Sequence, residues 1–179
     1  YMSDIISTVK DQAVCLNESS MSKFMIDELI KRIELLMRHE LKKSHCTLCI
    51  NNRTHPETEL PGTMNNLIQI LGNVIVNAIE AYEDKEGKIE LTIEPCSLNP
   101  AHTRISVRDY GPGIPESIKD KVLKEMITTK GRKGTGLGLY LSYITIKGKF
   151  GGDMWFESNT GQGTTIHISV PTLQTGITG

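Results

Sequence analysis

Apolar residues recur at helical spacing in several stretches of the chain. The pattern predicts helices over residues 3–17, 24–41 and 63–82, and a fourth that begins near Gly138 and carries Leu141 and Ile144 on its apolar side. The helix over 63–82 has the widest apolar face, which indicates that it packs against a core rather than against solvent. That face consists of Leu67, Ile70, Leu71, Val74, Ile75, Ala78 and Ile79.

Strict alternation of apolar and polar residues predicts strands over 88–94, 104–108 and 165–170. Two further strands are expected over 46–52 and 154–156. Alternation is typical of antiparallel strands that have one face on a core and one in water. Helices must then cover the apolar face of the sheet. The expected fold class is α/β: a two-layer sandwich of a mixed, mainly antiparallel sheet covered on one face by helices.

Composition sets limits on the function. A chain of 179 residues with 38% hydrophobic residues can bury one core, so one domain with a short appendage is expected. The formal net charge of −1 argues against nucleic acid as a partner. No apolar run reaches the length of a bilayer-spanning helix, and no signal-peptide pattern opens the chain. The chain begins with Tyr1, so we expect a fragment whose parent protein could carry a membrane segment elsewhere.

The four cysteines are expected to be reduced thiols of a cytosolic protein. Cys46 and Cys49 have the spacing of half a zinc site, but no second pair follows at a zinc spacing. Both fall in a predicted strand, where positions three apart face opposite ways. We therefore expect small buried hydrophobic side chains here rather than a metal site.

A row of polar residues follows the long helix opposite its apolar face. Asn66, Asn73, Asn77 and Glu80 are separated by seven, four and three residues, which places them on one stripe. A neutral carboxamide oxygen can complete the octahedral shell of Mg²⁺ when phosphates and waters supply the other ligands. The alternative is an ordinary solvated helix face.

A tight turn follows the strand over 104–108, with the sequence DYGPGI at residues 109–114. Two glycines that flank a proline indicate a place where the backbone comes close to another group. Asp109, at the strand end, could accept a hydrogen bond from the exocyclic amine of a purine. The alternative is an Asx-type turn residue that only caps its own loop.

A glycine-rich segment, GTGLGL at residues 134–139, leads into the fourth predicted helix. Glycines at a helix start expose unpaired N–H groups and the positive end of the helix dipole, which favours anions. Residues 128–133 (TTKGRK) add hydroxyl groups and three cations just before it. The segment fits neither a Walker A loop nor a dinucleotide fingerprint. The alternative is a glycine-rich surface loop.

Together these motifs resemble the catalytic and ATP-binding (GHKL-type) domain of bacterial sensor histidine kinases. Residues 73–81 resemble the N box of that family, residues 109–114 its G1 box, and residues 135–139 its G2 box. Gly161-Gln-Gly-Thr164 resembles its closing glycine turn. Order and spacing agree from about Phe24 to Pro171, and the resemblance implies the sandwich fold that gyrase, Hsp90 and MutL ATPase domains share.

The resemblance also implies roles for individual residues. Asn77 would ligate Mg²⁺, Asn73 would support the metal or the phosphates, and Asp109 would bind the adenine amine. Lys130 would touch the terminal phosphate from a flexible lid, so that Asn73, Asn77 and Lys130 form the expected catalytic set. The remaining residues expected to bind ATP are Gly111, Gly113, Ile114, Thr128, Thr129, Gly134, Thr135, Gly136, Leu137, Gly138, Leu139 and Thr164.

One segment and two single residues depart from the family pattern. Residues 122–127 (VLKEMI) contain none of the phenylalanines that many members carry before the lid. Glu80 stands where some members place a phosphate-contacting lysine, and we expect it to face solvent or metal-linked water. His39 lacks the proline that usually follows a phosphoacceptor histidine, so we interpret it as a solvent-facing residue near a helix end.

The expected domain boundaries are 1–20 for the end of a dimerisation helix and its linker, 21–173 for the catalytic domain, and 174–179 for a tail. We expect a protein-histidine kinase domain in which ATP phosphorylates a histidine outside this chain, in a cytoplasmic, homodimeric parent. The expected partners are the parent's own helical domain and the receiver domain of a response regulator.

The sequence leaves alternative functions open. One is a nucleotide-sensing or scaffolding module without transfer activity; the others are an ATPase and an anti-sigma-type serine kinase on the same fold. Against the ATPase, Asn73 occupies the position where ATPase relatives carry a water-activating Glu, and a carboxamide cannot act as a general base.

Overall fold

The computed structural model describes residues 22–125 and 137–173. The predicted helix over 3–17 and the segment 128–136 lie outside these residues. The helices are α1 (Ile26–Lys43), α2 (Met64–Glu80), α3 (Glu116–Lys119) and α4 (Leu137–Thr145), and α4 continues as a π-helical turn over Ile146–Phe150. The strands are β1 (Lys23–Met25), β2 (Cys46–Asn52), β3 (Glu59–Pro61), β4 (Gly87–Pro95), β5 (His102–Arg108), β6 (Asp153–Asn159) and β7 (Gly163–Pro171).

Five strands form one mixed sheet in the order β2-β4-β5-β7-β6. The pairs β4–β5, β5–β7 and β6–β7 are antiparallel, and β2–β4 is parallel. Because α2 lies between β2 and β4 in the chain, it returns the chain to the same end of the sheet and makes the parallel pair possible. The expected two-layer α/β sandwich is confirmed.

The helix predicted from residue 24 is wrong at its start. Phe24 lies in β1, which pairs antiparallel with β3 so that Phe24 stands opposite Leu60, and α1 begins only at Ile26. Both side chains are buried, Phe24 at 6% and Leu60 at 0% exposure. Pairing with a segment 36 residues away therefore overrides the local helical pattern.

The core lies between the helices and the inner face of the sheet. All seven apolar residues predicted on α2 are buried, and Ile89, Leu91, Ile105 and Val107 meet them from β4 and β5. The prediction for α4 is wrong at Ile144, which is 48% exposed, whereas the polar Ser142 is 2% exposed. In α4 the side that packs inward carries Ser142 and leads to the buried Ile146 in the next turn.

Cys46 is buried and Cys49 is exposed, so the two thiols point to opposite sides of β2 as expected. The expectation that both are buried is wrong for Cys49, because that side of β2 faces solvent. Within residues 22–125 and 137–173, no helix is long and apolar enough to cross a membrane.

Candidate functional site

Asp109 follows the last residue of β5 and is only 7% exposed. Its Oδ1 accepts two backbone N–H groups, from Gly111 at 2.9 Å and from Thr164 at 3.2 Å. Its own N–H donates to the carbonyl of Thr164 at 2.9 Å. Burial raises the pKa of the Asp109 carboxyl, and the two N–H groups oppose that rise. Since both bonds go to Oδ1, Oδ2 is the oxygen that a ligand's donor would meet.

The bond from Gly111 is the Asx turn that was the alternative interpretation of Asp109. The bond from Thr164 adds a contact to a residue 55 positions away, so Asp109 does more than cap its own loop. It joins the turn after β5 to the start of β7.

The turn at 109–114 and the hairpin between β6 and β7 are in backbone contact at two glycines. A Cβ on Gly163 (φ +84°) would lie 2.1 Å from the Asp109 carbonyl oxygen, and one on Gly113 (φ +76°) would lie 2.3 Å from the Asn159 carbonyl oxygen. Both the positive φ angles and the missing side chains are therefore needed for this packing. Ser158, which the sequence pattern does not single out, accepts the Ile114 N–H at 2.8 Å.

Asn73, in the asparagine stripe of α2, faces the start of α4. Asn66, Asn73 and Asn77 are half-buried and Glu80 is exposed. Asn73 Nδ2 lies 3.5 Å from Ser142 Oγ, at the outer limit of a hydrogen bond, and that hydroxyl donates to the Gly138 carbonyl at 2.7 Å. Ser142 is a second residue that the sequence pattern does not reveal, since nothing in the neighbouring sequence indicates that this serine is buried.

The structure thus brings two of the predicted motifs to the long helix. Asn73 meets Gly138 in the first turn of α4, where a Cβ on the glycine would lie 3.8 Å from the carboxamide carbon. At the other end of α2, a Cβ on Gly111 would lie 3.0 Å from that of Ala81, one residue beyond the helix. Thr164, Ile114 and Leu139 also lie in the described part of the chain, whereas Thr128, Thr129, Lys130, Gly134, Thr135 and Gly136 lie outside it, and of Leu137 only the backbone is described.

The segment that lacks the family's phenylalanines still supplies apolar side chains. Val122 and Leu123 are each 8% exposed and belong to the same core cluster as α2 and the sheet. Aliphatic side chains therefore anchor the start of this segment, at residues 122 and 123.

Residues 62–174 match the model of the family described as Histidine kinase-, DNA gyrase B-, and HSP90-like ATPase. The chain belongs to this family. The matched range contains all three motifs and the closing glycine turn, so the resemblance noted from the sequence is confirmed.

Solved structures of similar fold support the assignment to this family. The catalytic domain of the histidine kinase ThkA superposes with a TM-score of 0.72 at 31% identity, over 85% of this chain and 95% of that one. ThkA in complex with the response regulator TrrA gives a TM-score of 0.71 at 27% identity, over 95% of this chain and 48% of that one. The fold is that of a histidine kinase catalytic domain.

Curated relatives are longer proteins. Sporulation kinase E of Bacillus subtilis (strain 168) is 40% identical over 110 residues, which are 62% of this chain and 14% of that protein. Sporulation kinase C of the same organism is 27% identical over 170 residues, 95% of this chain and 37% of that protein. The chain therefore spans well under two thirds of either kinase.

Proposed function

We propose that this domain binds Mg²⁺·ATP and presents the γ-phosphate to a histidine on a dimerisation helix. The observation that carries the proposal is Asp109, a buried carboxylate with one oxygen held by two backbone N–H groups and the other available to a donor. A purine amine offers such a donor. Because desolvation disfavours the charged form and the two N–H groups offset this only at Oδ1, a further donor at Oδ2 would stabilise the carboxylate.

The residues near α2 fit the phosphate end of the nucleotide. The described residues contain no group of three or more His, Cys, Asp or Glu that could hold a metal ion. A metal at this place would depend on the carboxamide oxygen of Asn77, with Asn73 beside it, and on phosphate oxygens and waters. All of these are hard oxygen ligands, the type that Mg²⁺ favours. Bound Mg²⁺ would neutralise phosphate charge, and Asn73 and Asn77 would orient the metal ion. Lys130, Thr128, Thr129, Gly134, Thr135 and Gly136 complete the proposed site.

A histidine acceptor is favoured over water for a chemical reason. Water must lose a proton as it attacks, whereas a neutral imidazole already offers a lone pair. Asn73 cannot remove a proton, and phosphoryl transfer to imidazole needs mainly positioning and charge neutralisation. This supports a kinase over an ATPase.

The rest of the proposal concerns the parent protein. We infer that residues 1–20 are the end of a dimerisation helix with its linker, that 21–173 form the catalytic domain and 174–179 a tail. The parent would be a homodimeric kinase that works in the cytoplasm and passes phosphate from its helical domain to a receiver domain. The ThkA–TrrA complex, a kinase with a response regulator, supports the last step by analogy.

Calorimetric titration of ATP with Mg²⁺ into the chain and into Asp109→Asn tests the nucleotide site. Asparagine keeps an oxygen for the N–H groups of Gly111 and Thr164 but turns an amide NH₂ toward the purine amine. Losing a hydrogen bond to a charged group should weaken ATP binding by about ten- to a hundredfold. Equal affinities would contradict the role of Asp109, and no binding by the wild-type chain would favour the scaffolding alternative.

The transfer step needs the acceptor. With the parent's helical domain joined to this chain, incubation with ATP should give a phosphoprotein that is labile in acid and stable in base. The Asn77→Ala variant of the same protein is the matched control and should give none. A phosphoprotein that is stable in acid would instead indicate serine phosphorylation.

A further inference from the structure

Tyr82 joins three parts of the nucleotide-site region through one hydroxyl group. It lies two residues beyond the end of α2. Its hydroxyl donates to the Lys88 carbonyl in β4 and accepts the Tyr110 N–H at 2.9 Å in the turn after β5. The hydroxyl therefore ties the turn that follows Asp109 to the neighbouring strand.

The ring of Tyr82 is held in a place that only a glycine leaves open. A Cβ on Gly87, the first residue of β4, would lie 2.4 Å from ring carbon Cδ2 and 2.5 Å from Cε2. Non-bonded carbon atoms do not approach each other this closely, so the ring packs directly on the Gly87 backbone and leaves no room for a Cβ. The Tyr82 hydroxyl is a neutral donor and acceptor at neutral pH, and burial raises its pKa further from that range.

The hydrogen bonds of the Tyr82 hydroxyl lie next to Asp109 in the chain. Asp109 has its own N–H bonded to the Thr164 carbonyl, and the next N–H, that of Tyr110, is bonded to Tyr82. The two peptide planes that flank Asp109 are thus fixed on both sides. The backbone dihedrals set the direction of the Asp109 Cα–Cβ bond, and the N–H groups of Gly111 and Thr164 hold Oδ1. Together these contacts fix where Oδ2 points.

We propose that Tyr82 is a positioning residue that sets base selectivity at this site by orienting Asp109. The inference rests on the proposed nucleotide function and adds to it a determinant of adenine over 6-oxopurines. An adenine carries an amine at C6 that donates to the carboxylate, whereas hypoxanthine and guanine carry an oxygen there that repels it. A correctly aimed carboxylate therefore both favours adenine and penalises its 6-oxo counterpart.

The test compares Mg²⁺·ATP and Mg²⁺·ITP binding by the wild-type chain and by Tyr82→Phe. Phenylalanine keeps the ring on Gly87 and removes both hydrogen bonds. ATP binding should weaken by about tenfold, equivalent to about 1.4 kcal/mol, while ITP binding stays within about twofold. The preference for ATP should therefore fall at least about fivefold. A merely structural role of the hydroxyl would weaken both nucleotides by the same factor and leave that preference unchanged.

Tyr110→Phe is the matched control. Its hydroxyl bonds to Glu90 at 2.7 Å, and its removal leaves the Tyr110 N–H on Tyr82. The ATP-to-ITP preference of this variant should equal that of the wild-type chain.

The outcomes separate this inference from the function beneath it. If the wild-type chain binds neither nucleotide, the proposed function fails; if it binds ATP but Tyr82→Phe keeps the full preference, only the role of Tyr82 is overturned. If Tyr82→Phe does not fold, two other measurements test the role of Tyr82. One is the ATP-to-ITP preference of Gly87→Ala, in which the added Cβ displaces the Tyr82 ring; the other is hydrogen exchange of the Tyr110 amide in the wild-type chain. Strong protection of that amide and a lower preference in Gly87→Ala are expected, and rapid exchange would overturn the proposal.

Discussion

Replacing Gly163 by alanine tests whether the closing glycine turn supports Asp109. Gly163 has φ +84°, where an alanine is strained by about 1–2 kcal/mol. Its new Cβ would also lie 2.1 Å from the Asp109 carbonyl oxygen and 2.8 Å from the Tyr110 Cα. Overpacking against backbone that must move costs about 1–3 kcal/mol more. We therefore expect the free energy of unfolding to fall by about 2–5 kcal/mol.

Gly161 is the matched control in the same hairpin. Its φ of +79° is nearly that of Gly163, yet an added Cβ would meet no atom within 4 Å. Gly161→Ala should therefore lose only the backbone contribution of about 1–2 kcal/mol. The pair differs in the space available to the Cβ and shares the backbone conformation.

Urea unfolding of both variants measures the stability, and ATP titration measures the site. In Gly163→Ala the displaced atoms belong to Asp109 and Tyr110, so ATP affinity should fall at least about tenfold at a temperature where the variant is folded. Gly161→Ala should bind ATP within about twofold of the wild type. Equal losses of stability in the two variants would refute the close approach as the reason for glycine at 163.

Two further predictions concern the core and the outer face of the sheet. Leu71 is fully buried on α2, so Leu71→Ala should lower the free energy of unfolding in urea by about 2–5 kcal/mol; a loss below about 1 kcal/mol would contradict its packing. Burial lowers the pKa of His167, whose Nδ1 lies 2.8 Å from Ser106 Oγ. The pKa of His167 in the folded protein lies below the ordinary 6.5, so neutral His167 contributes to the free energy of unfolding above pH 6.5. This contribution is lost as the pH falls toward the folded pKa. Unfolding measured from pH 7.5 to 5 should show this decline, and His167→Gln should flatten it; an unchanged slope in the variant would contradict the assignment.

Elements with a strong period of their own are predictable from local pattern. The seven apolar residues of α2 recur at helical spacing, and all seven are buried. The alternation in β4 and β5 likewise matches the side each residue presents, with Leu91 opposite Val107 in the register. An amphipathic helix or strand buries its apolar face in almost any fold, so the sequence predicts that face without identifying the element it packs against.

Pairings between distant segments are not predictable in that way. Phe24 continues the helical pattern of α1 but pairs with Leu60, and the sequence of β2 does not reveal that this strand runs parallel to β4. In α4 the pattern places Ile144 inward, yet contact with α2 selects Ser142. In each case the partner across the interface decides which local preference is realised.

The candidate site divides along the same line. Its motifs are visible in the sequence because glycines, a proline and carboxamides at set spacings are rare outside places that need them, and they were enough to identify the family. The residues that hold the motifs in place were not visible. Ser142, Ser158 and Tyr82 act through single hydroxyl groups on residues 69, 44 and 28 positions away.

The sequence by itself determined the fold class, the order of the main elements and the residue types offered to a nucleotide. Periodicity and turn chemistry act over a few residues, so the chain carries them locally. Only the tertiary structure decided that one oxygen of Asp109 is occupied, that Gly163 touches its backbone and that Tyr82 holds the next peptide. These contacts join residues far apart in the chain, and they exist only once the packed core has brought them within hydrogen-bonding distance.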